Sequence, residues 1–498
     1  MEKVSATQFV RIWATLGLLA LILIWFLPWR FQTNDDEIMM WLVSGAYTGT
    51  PESFAVFIHP ILSWVFAKLY TLFPEIPWYP LTWFGAMYMS YIISLELIWK
   101  RKSDQIQRHC WSLFLFAFLI HFTFFLQFSI VAAFLASAGL LARILKTQGL
   151  KFQVKLYWTD LLIVLGFLIR YEVPFLILAG LLSLNFILRQ KRVFTAALIP
   201  ILFLCISVGF TQLWIHQQGL GEFQKLNTLR SQVFDHPVLQ LMKDGFKNED
   251  PNLYFFANGL IDFQRDELSV EKMETWKVSL DQARFPLYQP TWIIQSFRTF
   301  LEHERFFIAL ISFFLIFGTF IFRTKVIYLA LTLFFIALVL SPFYLLKVQI
   351  YAILFLTLIS ACFLLPEKSF LSNTKIIYPI SIILILLLGV HFTSFFKSKA
   401  NLVSSRSLDE NLLNLRNDGY ERIYLIGAGS ILREYRFAKN IPFKLLGWPT
   451  FLEGSQFTDS NKTAYLIDNN TYSTFSAYFK KHEEQQILMD DYILLDLK

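Results

Sequence analysis

Phe9–Trp29 reads FVRIWATLGLLALILIWFLPW and runs directly into RFQTNDDEIMM, Arg30–Met40. The first stretch is long enough to cross a hydrocarbon core as a helix, which takes about 20 residues. The second sets three consecutive acids, Asp35-Asp36-Glu37, just past its end. No small-residue cleavage site lies between them, so the apolar segment is expected to remain as a signal anchor. A helix that leaves a bilayer and at once presents carboxylates puts charge at a membrane surface.

The same pattern of apolar runs recurs along the 498 residues, which are 55% hydrophobic and 18% aromatic with a mean hydropathy of +0.49. Charged residues make up 16%, against roughly 25% in globular domains. The expected fold class is an α-helical polytopic membrane protein. Phe 54 against Gly 20 argues against a glycine-lined channel, because small residues are what let membrane helices approach closely. Cys110, Cys205 and Cys362 sit in or beside apolar runs and form neither a disulfide framework nor a metal spacing. The net charge of +7 comes from basic residues clustered between apolar runs, which is an orientation signal and not a nucleic-acid surface.

Eleven stretches are candidate spans: Phe9–Trp29, Trp78–Trp99, Trp111–Phe128, Ile130–Leu145, Leu156–Ile169, Val173–Leu188, Phe194–Ile215, Phe306–Phe322, Val326–Pro342, Val348–Leu365 and Ile376–Phe396. With a cytoplasmic N-terminus, Lys100-Arg101-Lys102 with Arg108, Lys146, Lys151, Lys155, Arg189, Lys191, Arg192, Arg323, Lys325, Lys368 and Lys375 all fall on the inner side. Ile58–Phe73 would reverse that agreement if it crossed. It is short, holds Lys68 and is bounded by His59-Pro60 and Pro74, so it is expected to lie in the outer interface. The expected domains are a membrane domain, residues 1–396, with outer loops 30–77 and 217–305, and a small extracytoplasmic α/β domain, residues 397–498. Arg422–Ile426, Ile431–Ala438, Thr463–Ile467 and Tyr492–Leu495 supply its alternating patterns.

Asp36–Tyr47 reads as a helix with Asn34 as its N-cap and acids in its first turn, where exposed amides favour them. A capped helix with solvated acids would account for one carboxylate more easily than for three. Close carboxylates repel, which raises at least one pKa and equips that group to take a proton. Arg170, in Arg170-Tyr171-Glu172 at the outer end of the fifth span, is costly at that depth unless it is paired or faces water. It either snorkels or binds a phosphate through its planar fork. Lys347 at the outer start of the tenth span is a similar candidate. Asn227, Arg230, Asp235 and His236 lie in one stretch of the second outer loop, and His59 lies near the acids. Gly427-Ala428-Gly429-Ser430 reads as a strand-to-helix turn, because the third glycine of a dinucleotide fingerprint is missing.

An acidic pair after the first helix, juxtamembrane helices and the proline-containing segment Ile58-His59-Pro60-Ile61-Leu62-Ser63-Trp64 together resemble the GT-C glycosyltransferases, such as protein O-mannosyltransferases and aminoarabinose transferases. The resemblance covers about residues 1–350. It leaves open whether Asp35-Asp36 or Asp36-Glu37 is the matching pair. It implies an inverting transfer from a polyprenyl-phosphate-linked sugar to a glycan, lipid or protein acceptor at the outer face of the cell membrane. Asp36 or Asp35 would be the general base, with Glu37 beside it. Arg170, Glu172, Lys347, His59, Arg230, Asp235 and His236 would serve substrate binding, and a divalent cation, Mg or Mn, is a possible cofactor. Alternatives from the same residues are a polysaccharide polymerase or ligase using lipid diphosphate-linked glycans, and a flippase-type transporter. The transporter would need polar residues on several mid-membrane helices, and the chain has few.

Overall fold

The computed structural model describes residues 6–101, 105–147, 149, 156–188, 192–260, 269–322, 324–365, 374–399, 406–420, 422–427, 432, 435–452, 463–489 and 492–497. Within them the chain opens with α1 (Ala6–Trp25), α2 (Asn34–Ser44), α3 (Pro60–Leu72), α4 (Trp78–Arg101), α5 (Gln105–Phe124), α6 (Phe128–Thr147), α7 (Leu156–Arg170), α8 (Glu172–Leu188), α9 (Arg192–Gln217) and α10 (Gly221–Phe234). Later apolar helices are Arg305–Phe322, Thr324–Leu340, Val348–Leu364 and Thr374–Lys399. Each of the eleven apolar stretches therefore coincides with a helix. Five helices are long and apolar enough to cross a membrane by length and composition, and Glu172–Ser183, Arg305–Thr319, Lys325–Leu340 and Val348–Leu364 are apolar but shorter.

The helices divide by what surrounds them. α6 is buried along its whole apolar window, whereas α1, α9 and Tyr378–Phe396 leave most of theirs exposed, as helices bordered by lipid do. Ala132, Ala136, Gly139 and Ala142 give α6 a small-residue surface on which neighbours can approach closely. At Gly139 an added Cβ would stand 2.8 Å from the Thr159 carbonyl oxygen of α7. Arg143 of α6 and Asp160 of α7 form an ion pair between the same two helices. α3 buries Leu62, Phe66 and Tyr70 and exposes Ile61, Trp64 and Leu72, the two-faced pattern expected of an interfacial helix.

Helix ends collect in two groups. At one end Arg101 donates to the Phe363 and Leu365 carbonyls, at 3.2 and 2.8 Å. At the other, β1 (Arg30–Phe31) pairs in parallel with β2 (Phe125–Leu126). There too the His59 amide donates to Leu168 O at 2.9 Å and Arg284 donates to Pro342 O at 2.9 Å.

The C-terminal region holds a five-stranded sheet in the order β4-β3-β5-β7-β6, built from β3 (Arg422–Ile426), β4 (Lys444–Leu445), β5 (Thr463–Asp468), β6 (Glu483–Met489) and β7 (Tyr492–Leu497). β3 runs parallel to β4 and β5, while β7 is antiparallel to β5 and β6. The helix expected within Ile431–Ala438 is not there among the described residues; 435–437 form a turn, and 428–431 and 433–434 lie outside the described residues. That turn begins a strap, Tyr435–Trp448, laid across α2. Trp41 Nε1 donates to Tyr435 O at 3.2 Å, and the Ile441 amide to Ala46 O at 2.7 Å. Lys444 Nζ reaches Tyr47 O and the Leu445 amide reaches Tyr47 Oη, both at 3.0 Å.

Since the backbone of α7 blocks the space over Gly139, Gly139→Ala should separate α6 from α7 and cost about 1–3 kcal/mol. Gly85→Ala, with nothing within 4 Å of its Cβ, is the matched control. Thermal unfolding in detergent should show a lower midpoint for the first and no such drop for the second.

Candidate active site

α2 starts two residues before and ends three residues before the helix expected over Asp36–Tyr47, with Thr33 and not Asn34 as the extended N-cap. It stops at Gly45, whose φ of +79° suits glycine and where a Cβ would meet Pro51 N at 2.7 Å. Between these ends it buries Asp36 through Val43. Helical spacing then separates the three acids, because neighbours in sequence point about 100° apart around the axis.

Asp36 points inward and has 0% exposure. Its Oδ1 accepts from Tyr79 Oη of α4 at 2.8 Å, and the Phe128 amide at the start of α6 lies 3.3 Å from both carboxyl oxygens. Burial raises its pKa from 3.8 to about 8, against the opposing hydrogen bonds from Tyr79 and Phe128 and with a further upward push from Asp35. The repulsion expected among the acids is thus the minor cause, and removal from water is the major one. Glu37 is also buried, at 4% exposure, and its field opposes the burial that brings Arg436 down to about 10.

Asp35 faces the other way, into a cavity of about 1250 Å³. Its Oδ1 accepts from Trp448 Nε1 at 2.9 Å. Arg170, Arg230, Lys277, Arg284 and Lys347 line the same cavity with Glu172, Asp235 and His236, so five cations face three carboxylates including Asp35. Burial pulls the Arg230 guanidinium down, while Asp35 and then Asp235 hold it up. Lys347 Nζ is 2.8 Å from Asp235 Oδ2, and Arg170 donates to Ser129 Oγ at 2.7 Å with its Nε 3.7 Å from Glu172. Phe57 meets Trp448 edge-on at 5.3 Å and Phe128 at 6.4 Å, and Arg170 lies 5.0 Å over the Phe128 ring. An aromatic wall therefore runs from Asp35 to Arg170. Leu176, Leu340, Phe343 and Tyr344 also line the cavity and are exposed, at the ends of α8 and Thr324–Leu340.

The sequence-derived candidates divide accordingly. Asp35, Arg170, Glu172, Lys347, Arg230, Asp235 and His236 share the cavity lining, whereas Asp36, Glu37 and His59 are not part of it. His59 is instead the cap of α3, its Nδ1 accepting from the Ile61 amide at 3.2 Å, with its ring stacked 5.3 Å from Phe210. His236 caps Pro237–Met242 in the same way and lies 3.4 Å from Asp281, and burial and the nearby Arg284 hold it down at about 4. It is neutral near pH 7. Trp448, Lys277 and Arg284 escaped the sequence reading; Lys277 and Asp281 stand one turn apart on the helix Val270–Gln282, and Arg284 follows in the turn after it.

Among the described residues no three His, Cys, Asp or Glu side chains gather as a metal-holding group. The carboxylates of the cavity face cations or the Trp448 indole. The described residues therefore offer no preassembled group of carboxylates for the divalent cation that the resemblance implied, and no step below uses one.

No family model matches the chain, and no curated protein matches it. Among solved structures, one described as "Crystal Structure of ArnT from Cupriavidus metallidurans bound to Undecaprenyl phosphate" is similar over 99% of this chain and 98% of that chain. The identity is 9% and the TM-score 0.42. At that identity and score the likeness decides nothing about fold or chemistry.

Asp36 carries a pH signature. Between 3.8 and about 8 the folded protein holds a proton there that the unfolded chain has released, so this group's contribution to stability declines as pH rises through that window and is level above it. An amide in its place still accepts from Tyr79 and Phe128 without titrating. The unfolding free energy of Asp36→Asn minus that of wild type should grow from pH 5 to pH 8, by at most about 1.4 kcal/mol per pH unit, with the melting-temperature difference rising in step. A constant difference would contradict the buried, protonated carboxyl.

Proposed function

We propose that this chain is an integral-membrane glycosyltransferase of the GT-C type. It would move a sugar from a polyprenyl-phosphate donor to an acceptor hydroxyl, with Asp35 as general base. One observation carries the reading: a carboxylate and a surplus of cations line a single cavity whose wall includes exposed apolar ends of membrane helices. A polyprenyl phosphate needs that combination, because its head is an anion and its tail must stay in lipid. The volume exceeds the roughly 300–1,000 Å³ of a site for one small ligand, which leaves room for donor head and acceptor together.

In the proposed reaction Asp35 takes the acceptor proton as the acceptor oxygen bonds to the anomeric carbon. The bond from that carbon to the phosphate oxygen breaks, and its electron pair leaves with the phosphate. Arg170, Arg230 and Lys347 offset the charge that develops there. A single attack from the face opposite the leaving group inverts the anomeric carbon. Asp36 is assigned a structural part and not the base, because it has no surface in the cavity.

The proposed orientation has a cytoplasmic N-terminus and an extracytoplasmic site and C-terminal domain. Two features support it: the basic clusters Lys100-Arg101-Lys102, Lys146 to Lys155, Arg189 to Arg192, Arg323 to Lys325 and Lys368 to Lys375 would all lie inside, and the helix ends that meet at the cavity are the opposite set from those joined by Arg101.

Purified protein supplied with polyprenyl-phosphate sugars should transfer the sugar. Arg230→Ala and Lys347→Ala should each lower kcat/KM for the donor about tenfold or more. Wild-type rates in both variants would contradict the phosphate assignment.

A further inference from the structure

The C-terminal domain contributes directly to the cavity. Leu425, Ile426 and Gly427 at the end of β3, and Leu445 to Pro449 from the end of β4 onward, form part of its lining. The strap Tyr435–Trp448 is held to α2 and the chain after it by four hydrogen bonds that do not involve Asp35. It ends at Gly447, whose φ of +118° is open to glycine and forbidden to most side chains, and where an added Cβ would lie 4.0 Å from Arg230 Nη1. That turn delivers Trp448 beneath the sheet, 3% exposed, against Phe57 and with its indole N–H aimed at Asp35.

We propose that Trp448 is a positioning residue for the reaction, a contribution of the C-terminal domain to the site in the membrane domain. The inference rests on the transferase reading above. Asp35 has two carboxyl oxygens; with Oδ1 committed to Trp448, the carboxylate plane is fixed and Oδ2 is left to meet an acceptor hydroxyl. A carboxylate free to rotate would meet that hydroxyl in a productive geometry less often. Asp35 interacts electrostatically with Arg230 from α10, and through its field with Asp36 and Tyr79 on the other side of α2. Trp448 adds a neutral donor to this set without bringing a charge that would compete for the phosphate.

Trp448→Phe keeps a ring against Phe57 and removes the N–H. Its kcat should fall about tenfold with KM for the donor little changed. Benzothienylalanine at position 448, with sulfur in place of the indole N–H, keeps the shape and packing of the ring and should show the same fall in kcat. Folding is read in parallel by thermal unfolding, and if Trp448→Phe does not fold, the benzothienylalanine variant carries the test alone. A wild-type kcat in the folded Trp448→Phe variant overturns the proposal. A wild-type kcat with benzothienylalanine also overturns it, because packing alone would then account for Trp448. Absence of transfer by the wild-type protein would instead count against the transferase reading itself.

Discussion

The Asp36 carboxyl group is shut away from water, and donors from α4 and from the start of α6 converge on it. An unpaired carboxyl at that depth would be strongly unfavourable, so the chain keeps it by satisfying it with Tyr79 Oη and the Phe128 amide and by raising its pKa to about 8. The contact fixes three elements at once. α2 cannot rotate without withdrawing Asp36 from Tyr79, and the break between β2 and α6 cannot shift without losing the Phe128 donor. Phe128 is also the ring under Arg170, so the same contact sets the floor of the cavity.

With α2 held in that rotation, Asp35 is directed to the opposite side, where its surroundings are cationic. The two neighbouring carboxyls thereby enter different environments: one is enclosed by aromatic rings and neutral donors, the other is half-buried beside Arg230 and Trp448. Separation of environment is what gives adjacent acids separate tasks. The charges of the lining are balanced in part, with Asp235 against Lys347, Glu172 against Arg170, and Asp281 beside the lining against Arg284. The remaining positive excess suits an anion that arrives and leaves.

Much of the architecture was legible in the chain itself. Apolar runs long enough to span give helices almost by necessity, because an unpaired backbone in lipid is so costly. The acids after the first apolar run, Arg170 and Lys347 were visible as charges at the ends of apolar runs, where a charge needs a reason. Which acid faces the cavity was not visible: adjacent residues on a helix point in different directions, and the direction is set by Tyr79 and Phe128, distant in sequence. His59 drew notice through its closeness to the acids, yet its place before Pro60 already marks a helix cap. Trp448 lies more than four hundred residues from Asp35, in a tail whose strands could be read but whose docking on α2 depends on long-range contacts. No local pattern encodes such a pairing.

The division of labour between the two adjacent acids is tested most directly by single-turnover transfer at pH 7 in Asp35→Asn and Asp36→Asn, each compared with wild type at equal amounts of folded protein. Transfer should be lost, by a factor of about a hundred or more, in Asp35→Asn. Asp36→Asn should stay within a few-fold of wild type, since its amide still accepts from Tyr79 and Phe128. The reverse pattern, an active Asp35→Asn beside an inactive and well-folded Asp36→Asn, would contradict the account.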